Sequence, residues 1–565
     1  MYTPPTAEIL FLLDHVVGIS ELVDEESREL VEPIVAGAGA FAAAEFAPLN
    51  RIGDEVGARW RDGVVTMPKG FREAYRAYVE GGWGTIGGPQ EHGGQGLPLP
   101  LSCAVMEVLG SANMGFSLIM MLTPAAVEAL VHHGTDEQRE TWLPKLVSGE
   151  WNGTMNLTEP QAGSDVGALK TRAVRAPDGS WRIKGQKIFI TFGEHDLTDN
   201  IVHLVLARTP DAPGGTRGIS LFLVPKYRLD ASGAPGAPND VRCVSIEHKM
   251  GIHASPTCVL AYGDDDDCHG WLVGEEQGGM RAMFTMMNNA RLNVGLQGVS
   301  IAERALQGAM DYARQRIQGA RAGSNSRESV AIVHHADVRR MLVRMQALTQ
   351  GARALCYYAA GQTARAQAGD EDARARADLL TPLVKAWCTD VGVEVAGLGI
   401  QIHGGMGFIE ETGAAQHYRD SRIAPIYEGT NGIQAADLVG RKLGLDGGAA
   451  FAALIADIGG VASLEGLAAA CKRVAAELSG RGADARMAAS YPFLNMLSVA
   501  TAGWLMARQE DALDGGLDPD FAAMKRAAAT FFLDRILPEA IGLESSALAD
   551  PGALMDIPES AFATF

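Results

Sequence analysis

The sequence has few of the residues from which disulfide or metal scaffolds are made. Seven cysteines are spread over 565 residues, at 103, 243, 258, 268, 356, 388 and 471, and no two form a CxxC pair. An odd, scattered set speaks against a disulfide framework and against structural zinc, and fits reduced thiols in a cytoplasmic protein. Cys268-His269 is an isolated pair without further ligands at metal-site spacing, so no metal is expected. Positive charge is also short: 48 Lys and Arg stand against 68 Asp and Glu, a formal net charge of −20. That balance argues against nucleic acid as a partner of the general surface, while leaving room for a local basic pocket around an anionic cofactor. No long apolar run is uninterrupted. The most apolar stretch, Phe116 to Val131, is broken by Thr123, Pro124 and Glu128, and is expected to be a buried helix, not an integral membrane segment. The opening Met1-Tyr2-Thr3-Pro4-Pro5 lacks a basic region, so no targeting segment is expected. No internal repeat of the solenoid kind is present.

What is present is an ordinary globular composition, 47% hydrophobic, in a chain long enough for several domains. Residues 1–150 read as helical, with Pro33 suited to a first helical turn and Thr135 to an N-cap before Asp136-Glu137-Gln138. From Trp151 the texture changes. Residues 181–191 read as two short strands around Gly185, and Ile201 to Ala207, Ile219 to Val224, Val241 to Ile246 and Thr257 to Tyr262 are further strand-length runs. They predict a compact β domain over 151–272, taken as a barrel. Asp230 to Asp240 reads as a solvated loop, and Asp264 to Asp267 as a charged turn in preference to a cation site. Long helices are predicted over 280–316, 329–366 and 378–398 within a helical domain of 273–445. A linker at 444–448 leads to a helical extension over 446–565. The fold class is therefore mostly α with a central β-barrel domain.

Several motifs can carry chemistry. Met155-Asn156-Leu157-Thr158-Glu159-Pro160-Gln161-Ala162-Gly163-Ser164-Asp165 leads from a strand into a turn of small residues, where backbone and hydroxyls can meet a polar cofactor edge or a phosphate. Phe189-Ile190-Thr191 places an aromatic beside a hydroxyl at a strand end. Asn288-Asn289-Ala290-Arg291 puts a cation early in a helix. Arg314-Gln315-Arg316-Ile317-Gln318 is a basic helix end, for which helix capping is a competing role. In Gln401-Ile402-His403-Gly404-Gly405-Met406-Gly407, the glycines allow backbone to lie against a flat or anionic ligand, and His403 lacks a partner ligand at i+4. Glu428, in Tyr427-Glu428-Gly429-Thr430-Asn431, is a carboxylate on a glycine-punctuated turn entering a helix, and suits a general base.

In their order and spacing, the segments MNLTEPQAGSDVGALKTRA, GQKIFIT, NNARLNVGLQGVSIAERAL, QIHGGMGFIEE and YRDSRIAPIYEGTNGIQ resemble the acyl-CoA dehydrogenase family, from about Gly82 to Leu443. The start EILFLLDHVVG and the helical tail resemble the branch of that family named for 3-methylmercaptopropionyl-CoA dehydrogenase. The resemblance implies FAD as cofactor, with flavin contacts at Met155, Leu157, Thr158, Ser164, Phe189 and Thr191, and at Gly429 and Thr430 beside the base. Phe189 stands where relatives often carry Trp, which preserves stacking and removes an indole N–H. Arg316, Gln318, Gln401, Gly404 and Gly405 match positions that touch the FAD of a neighbouring subunit, which implies a homodimer or homotetramer. Ser164, Asn288, Arg291, Tyr427 and Gly429 match substrate positions, with Asn288 departing from the usual Asp. Glu428 matches the catalytic base. The implied reaction is α,β-dehydrogenation of an acyl-CoA thioester to a trans-2-enoyl-CoA, with the α-proton going to Glu428 and the β-hydride to flavin N5. The implied substrate is 3-(methylthio)propanoyl-CoA or a short- or medium-chain acyl-CoA, and the implied acceptor is electron-transfer flavoprotein. An acyl-CoA oxidase shares the fold and the base. A nucleic-acid-associated flavoprotein of the same fold is disfavoured by the net charge and by a tail without a dense Lys/Arg cluster.

Overall fold

Asn113 adopts an extended backbone between two apolar helices, Leu99–Ala112 and Met114–His133, and its side chain caps the second by accepting from Phe116 N at 3.1 Å. This local break belongs to one of two compact units in the computed structural model of the protein, which describes residues 2–513 and 515–563. One unit holds Pro33–Ala290 and Tyr2. The other holds Thr3–Glu32 together with the described chain from Arg291 onward.

In the first unit, Met114–His133 is long and apolar enough to cross a membrane by length and composition alone. Of its most apolar window, 83% is buried inside the protein. It packs against Leu99–Ala112, Asp136–Ser148 and the strand Asn152–Asn156. The helix Asp136–Ser148 starts at the Thr135 cap as a full capping box with Gln138. Pro33 is not in a first turn. The helix that holds it, Glu25–Phe41, starts eight residues earlier, so Pro33 sits in its interior.

Eight strands form one sheet. Seven lie in the order Val241–Ile246, Thr257–Tyr262, Trp181–Thr191, His269–Val273, Ser220–Pro225, Ile201–Ala207, Asn152–Asn156, and Arg172–Arg175 pairs off this path with Trp181–Thr191. All pairs are antiparallel except Asn152–Asn156 with Ile201–Ala207. The expected barrel is not found: among the described residues the two end strands do not pair, and the sheet is open. Each end is covered in another way. The Gly153 N–H goes to Thr123 Oγ1 of the apolar helix at 3.0 Å, and the Cys243 carbonyl accepts from Trp60 Nε1 at 3.1 Å. Residues 181–191 form one strand of eleven residues in place of two short ones. Gly185 lies within it because a Cβ there would fall 2.4 Å from Thr171 Oγ1. The expected loop over 230–240 is partly a hairpin, Tyr227–Leu229 against Pro235–Pro238.

In the second unit, helices Ala336–Gln367 and Glu371–His403 pack along each other. The first starts seven residues after its expected start at 329, and the second seven residues before 378, at an Asp370 cap accepting from Ala373 N at 2.9 Å. The extension is helical: Ala449–Gly459, Glu465–Ser479, Ala483–Asp511, Pro519–Phe531 and Leu537–Ala547. Ala483–Asp511 packs against Asn431–Gly440, Ala336–Gln367 and Glu371–His403. Its Phe493, Leu494, Leu497, Leu505 and Met506 are buried. Gly351 lets the Phe532 ring approach, since a Cβ there would meet it at 2.7 Å.

Candidate active site

The turn bearing Glu428 is held by its backbone. Tyr427 N donates to Ile423 O at 3.1 Å and Asn431 N to Pro425 O at 3.0 Å. Helix Asn431–Gly440 follows, capped by Thr430, whose hydroxyl accepts from Ile433 N at 3.2 Å. Glu428 itself has φ +55° and Gly429 φ +83°. A non-glycine residue in this region costs about 1–3 kcal/mol and persists only where its surroundings impose it. Gln434, fully buried, imposes it here: its Nε2 reaches the carbonyls of both Glu428 and Gly429 at 3.3 Å, and a Cβ at 429 would lie 2.8 Å from that nitrogen.

Glu428 is partly exposed, as a base that must meet a substrate has to be. The protein around it raises its carboxyl above the usual range, against the opposing pull of Arg291 and Lys385. Arg291 is buried, and its Nε has no hydrogen-bond partner. A buried guanidinium with an unused donor is suited to a polar group that the protein does not itself supply. Lys385 is fully buried and donates to Asn431 Oδ1 at 2.9 Å. Burial brings its ammonium down to about 7, opposed by Glu428 and Asp390. The Tyr427 hydroxyl donates to Gln297. Arg291, Tyr427, Glu428, Gly429 and Thr430 are thus gathered in the second unit. The same unit presents Arg316, Gln318, Gln401, Gly404 and Gly405 on its surface, all exposed. There the Tyr312 ring stacks on His403 at 4.4 Å between centroids, and His403 Nδ1 bonds Gly399 O at 2.7 Å, which gives that imidazole a structural part.

The first unit holds a different group. Lys187, fully buried, donates to Leu157 O at 3.0 Å and to Glu159 Oε1 at 2.9 Å, and Ile188 N donates to Thr158 O at 3.0 Å. These bonds fix Leu157 and Thr158 against the strand that ends in Phe189 and Thr191. Glu159 also accepts from Thr171 Oγ1 at 2.6 Å, Thr171 N at 3.0 Å and Lys170 N at 2.7 Å. Burial raises its carboxyl, but the Lys187 charge and these donors outweigh it and hold Glu159 at about 2. Phe189 has φ +60° and is 58% exposed, an apolar ring held out of the core by its own backbone. An open aromatic face at the end of the strand that also carries Thr191, and to which Thr158 is bonded through Ile188 N, fits the flat, polar-edged ring of a flavin, and Met155 lies in the buried strand Asn152–Asn156. Ser164 is exposed, with open space around Gly163. Asn288 is exposed on helix Gly279–Gln315, and its neighbour Asn289 donates to Glu128 Oε2 at 3.0 Å.

Lys187, Lys385, Asn431 and Gln434 were not among the residues expected at the site. A lysine among Leu383, Val384, Ala386 and Trp387 on an apolar helix is a visible signal of a buried cation, and Lys385 could have been found that way.

Comparison with known proteins identifies the family. Residues 31–150 match the acyl-CoA dehydrogenase N-terminal domain, 154–264 its middle domain and 277–443 its C-terminal domain. Residues 448–558 match a domain described as acetyl-CoA dehydrogenase C-terminal like. The chain is 46% identical to 3-methylmercaptopropionyl-CoA dehydrogenase of Ruegeria pomeroyi, over 98% of each chain. It is 34% identical to a butyryl-CoA dehydrogenase of Syntrophomonas wolfei, over 91% of this chain and 90% of the relative. The crystal structure of an acyl-CoA dehydrogenase from Bacillus anthracis complexed with FAD superposes with a TM-score of 0.76. At 22% identity, covering 100% of this chain and 94% of the other, it shows the fold. With three successive domain matches over residues 31–443 and 46% identity to a named relative along nearly the whole of both chains, this chain belongs to the acyl-CoA dehydrogenase family.

Proposed function

We propose that Glu428 is the base that removes the α-proton in FAD-dependent α,β-dehydrogenation of an acyl-CoA thioester. The observation that carries this is Glu428 itself: a partly exposed residue on a turn fixed by Gln434, its carboxyl raised by burial and acted on by Arg291 and Lys385. A thioester α-proton is weakly acidic, so its removal needs a positioned carboxylate of elevated basicity. Tyr427, Gly429 and Arg291 would line the substrate beside that base. Met155, Leu157, Thr158, Ser164, Phe189 and Thr191 would hold the flavin. When bound, FAD takes up the β-hydrogen with its electron pair. This chain's own residues orient the substrate, receive the α-proton at the Glu428 carboxylate and shield that carboxylate from bulk water.

We propose 3-(methylthio)propanoyl-CoA as substrate, supported by the 46% identity to 3-methylmercaptopropionyl-CoA dehydrogenase over nearly the whole of both chains. A short-chain acyl-CoA is the second reading, favoured by the similarity to butyryl-CoA dehydrogenase. A methylthio chain and an alkyl chain of like length differ little in polarity, so a direct comparison is needed. Anaerobic mixing with each acyl-CoA, read as loss of flavin absorbance, is expected to go fastest with the methylthio substrate. A faster reaction with butanoyl-CoA would reverse the assignment.

We propose electron-transfer flavoprotein as acceptor, by analogy with the family. Rapid peroxide release with turnover, on admitting oxygen to the substrate-reduced enzyme, would make it an oxidase instead. The exposed Arg316 and Gln318, and the exposed Gln401, Gly404 and Gly405 shortly before Phe408 at 85% exposure, support an assembly of at least two subunits. The seven free cysteines support a cytoplasmic location. The domain matches support a functional division into 1–150, 151–272, 273–445 and 446–565.

A further inference from the structure

The extension beyond residue 446 contains none of the residues proposed above, yet one of its side chains reaches Lys385, whose charge acts on the base, by a chain of hydrogen bonds. Tyr491, on helix Ala483–Asp511, donates its hydroxyl to Asp390 Oδ2. Asp390 Oδ1 accepts from Asn431 Nδ2 at 2.9 Å, and Asn431 Oδ1 accepts from Lys385 Nζ at 2.9 Å. Asn431 also donates to Ala386 O and to Thr389 Oγ1, both at 3.0 Å, so its side chain is held at both ends. It stands three residues after Glu428 and opens the helix behind the turn. Lys385 is fully buried and Asn431 nearly so. An ammonium with one neutral hydrogen-bond partner is stable in such a place only if carboxylates lie near it. The two that act on Lys385 are Glu428 and Asp390.

We propose that Lys385 is a positioning residue for the base, supplying the fixed positive charge against which Glu428 ionises, and that Tyr491 carries this arrangement into the extension by holding Asp390. This rests on the assignment of Glu428 as the base. Arg291, Lys385 and Tyr427 act with Glu428 directly; Asp437 and Arg441 act on Arg291, and Arg422 and Tyr491 on Asp390. Arg291 comes from helix Gly279–Gln315, Lys385 and Asp390 from Glu371–His403, and Arg422 and Tyr427 from the turn. Asp437 lies on Asn431–Gly440, Arg441 directly follows that helix, and Tyr491 lies on Ala483–Asp511. Arg291 remains when Lys385 is removed, so one of the two cations acting on the carboxylate is lost. The ionised base is then less favoured, and a higher pH is needed to reach it.

The test is the pH profile of kcat/KM for holoenzyme carrying Lys385→Met or Tyr491→Phe, with FAD content and melting temperature checking the fold. The acid limb is expected to move to higher pH by about one unit or more in Lys385→Met, the range for loss of a neighbouring opposite charge. In Tyr491→Phe, Asp390 loses its donor and draws more of the Lys385 charge to itself. A smaller move in the same direction is expected, together with faster amide exchange over residues 425–434. Arg473→Met, which breaks the Arg473–Glu544 pair elsewhere in the extension, should leave the limb in place. An unmoved limb in Tyr491→Phe overturns the part assigned to the extension, and an unmoved limb in both folded variants overturns the whole. Should Lys385→Met fail to fold, Lys385→Gln, which removes the charge and keeps a donor for Asn431 Oδ1, takes its place with the same expected outcome. If Glu428→Gln bleaches flavin normally, the base assignment has failed. If it does not, and both limbs stay put, only this inference has.

Discussion

Glu428→Gln is expected to retain FAD and acyl-CoA binding while substrate-driven flavin bleaching falls by ~10²–10⁴-fold or more, the range for loss of a positioned general base. The substitution keeps the shape of the side chain and removes only its basicity. The turn should survive, because the bonds that hold it are made by backbone: Asn431 N to Pro425 O, and Gln434 Nε2 to the carbonyls of residues 428 and 429. Loss of the negative charge leaves Lys385 and Arg291 with less to face, and Lys385, already brought down to about 7 by burial, should give up its proton at lower pH. The acid limb of the rate profile belongs to the base. Burial raises that carboxyl, so the wild-type limb should lie above the ordinary glutamate range, and it should vanish in the variant. Stopped-flow absorbance under anaerobic conditions separates binding from chemistry. Bleaching at near wild-type rate, with acyl-CoA bound, would remove Glu428 from the mechanism.

How much of this was legible in the sequence depends on how local the cause is. The Thr135 cap and the strands Val241–Ile246 and Thr257–Tyr262 follow from neighbours a few residues apart, and the sequence reading places them correctly. The Glu428 turn is local too, and glycine at 429 with threonine at 430 marks it. Elements decided by distant contacts were misjudged. Gly185 reads as a turn, but it is in-strand because Thr171 packs over it. The sheet reads as closed, but Thr123 and Trp60 occupy its two ends. Pro33 reads as a helix start, although acidic residues from Glu25 onward begin the helix a turn or more earlier. At the site, the sequence offers residues that form a motif and gives no sign of which buried polar groups are bonded to them. Lys187 bonds Glu159 from 28 positions away, and Tyr491 bonds Asp390 from 101 away, so no spacing pattern predicts either. The tail's helical texture was plain, but its route to Asn431 exists only in three dimensions.

Lys187→Met should cost about 3–5 kcal/mol of unfolding free energy, the usual penalty when one partner of a buried ion pair is removed. Lys187 is fully buried and Glu159 is 4% exposed, so water cannot replace the lost charge. Methionine fills most of the same space, which leaves an uncompensated carboxylate as the main change. Thr171, Lys170 N and Gln161 still donate to Glu159, and they set the lower part of the expected range. The pH dependence tests the cause. In the wild type, the lowered carboxyl of Glu159 contributes stability that is complete above its unfolded value of 4.5 and is lost as pH falls toward about 2. Lys187 acts in the opposite sense. Its ammonium is brought down by burial to about 8, so it costs stability below that pH, and the cost is relieved as pH rises toward 10.5. In Lys187→Met the Glu159 carboxyl rises, protonation relieves the variant, and the gap between the two proteins should narrow from pH 7 to pH 3. Adding Glu159→Gln removes the second charge and should recover much of the loss at neutral pH, since a neutral pair in a buried site often matches the ionic one. Urea midpoints for the three variants and the wild type give the comparison. FAD affinity should fall in Lys187→Met alongside stability, because Lys187 Nζ also holds the Leu157 carbonyl at the start of the turn proposed to face the flavin. A double variant no more stable than Lys187→Met would mean that the lysine acts by packing, and that the TEP turn is kept in place by its hydrogen bonds and not by charge.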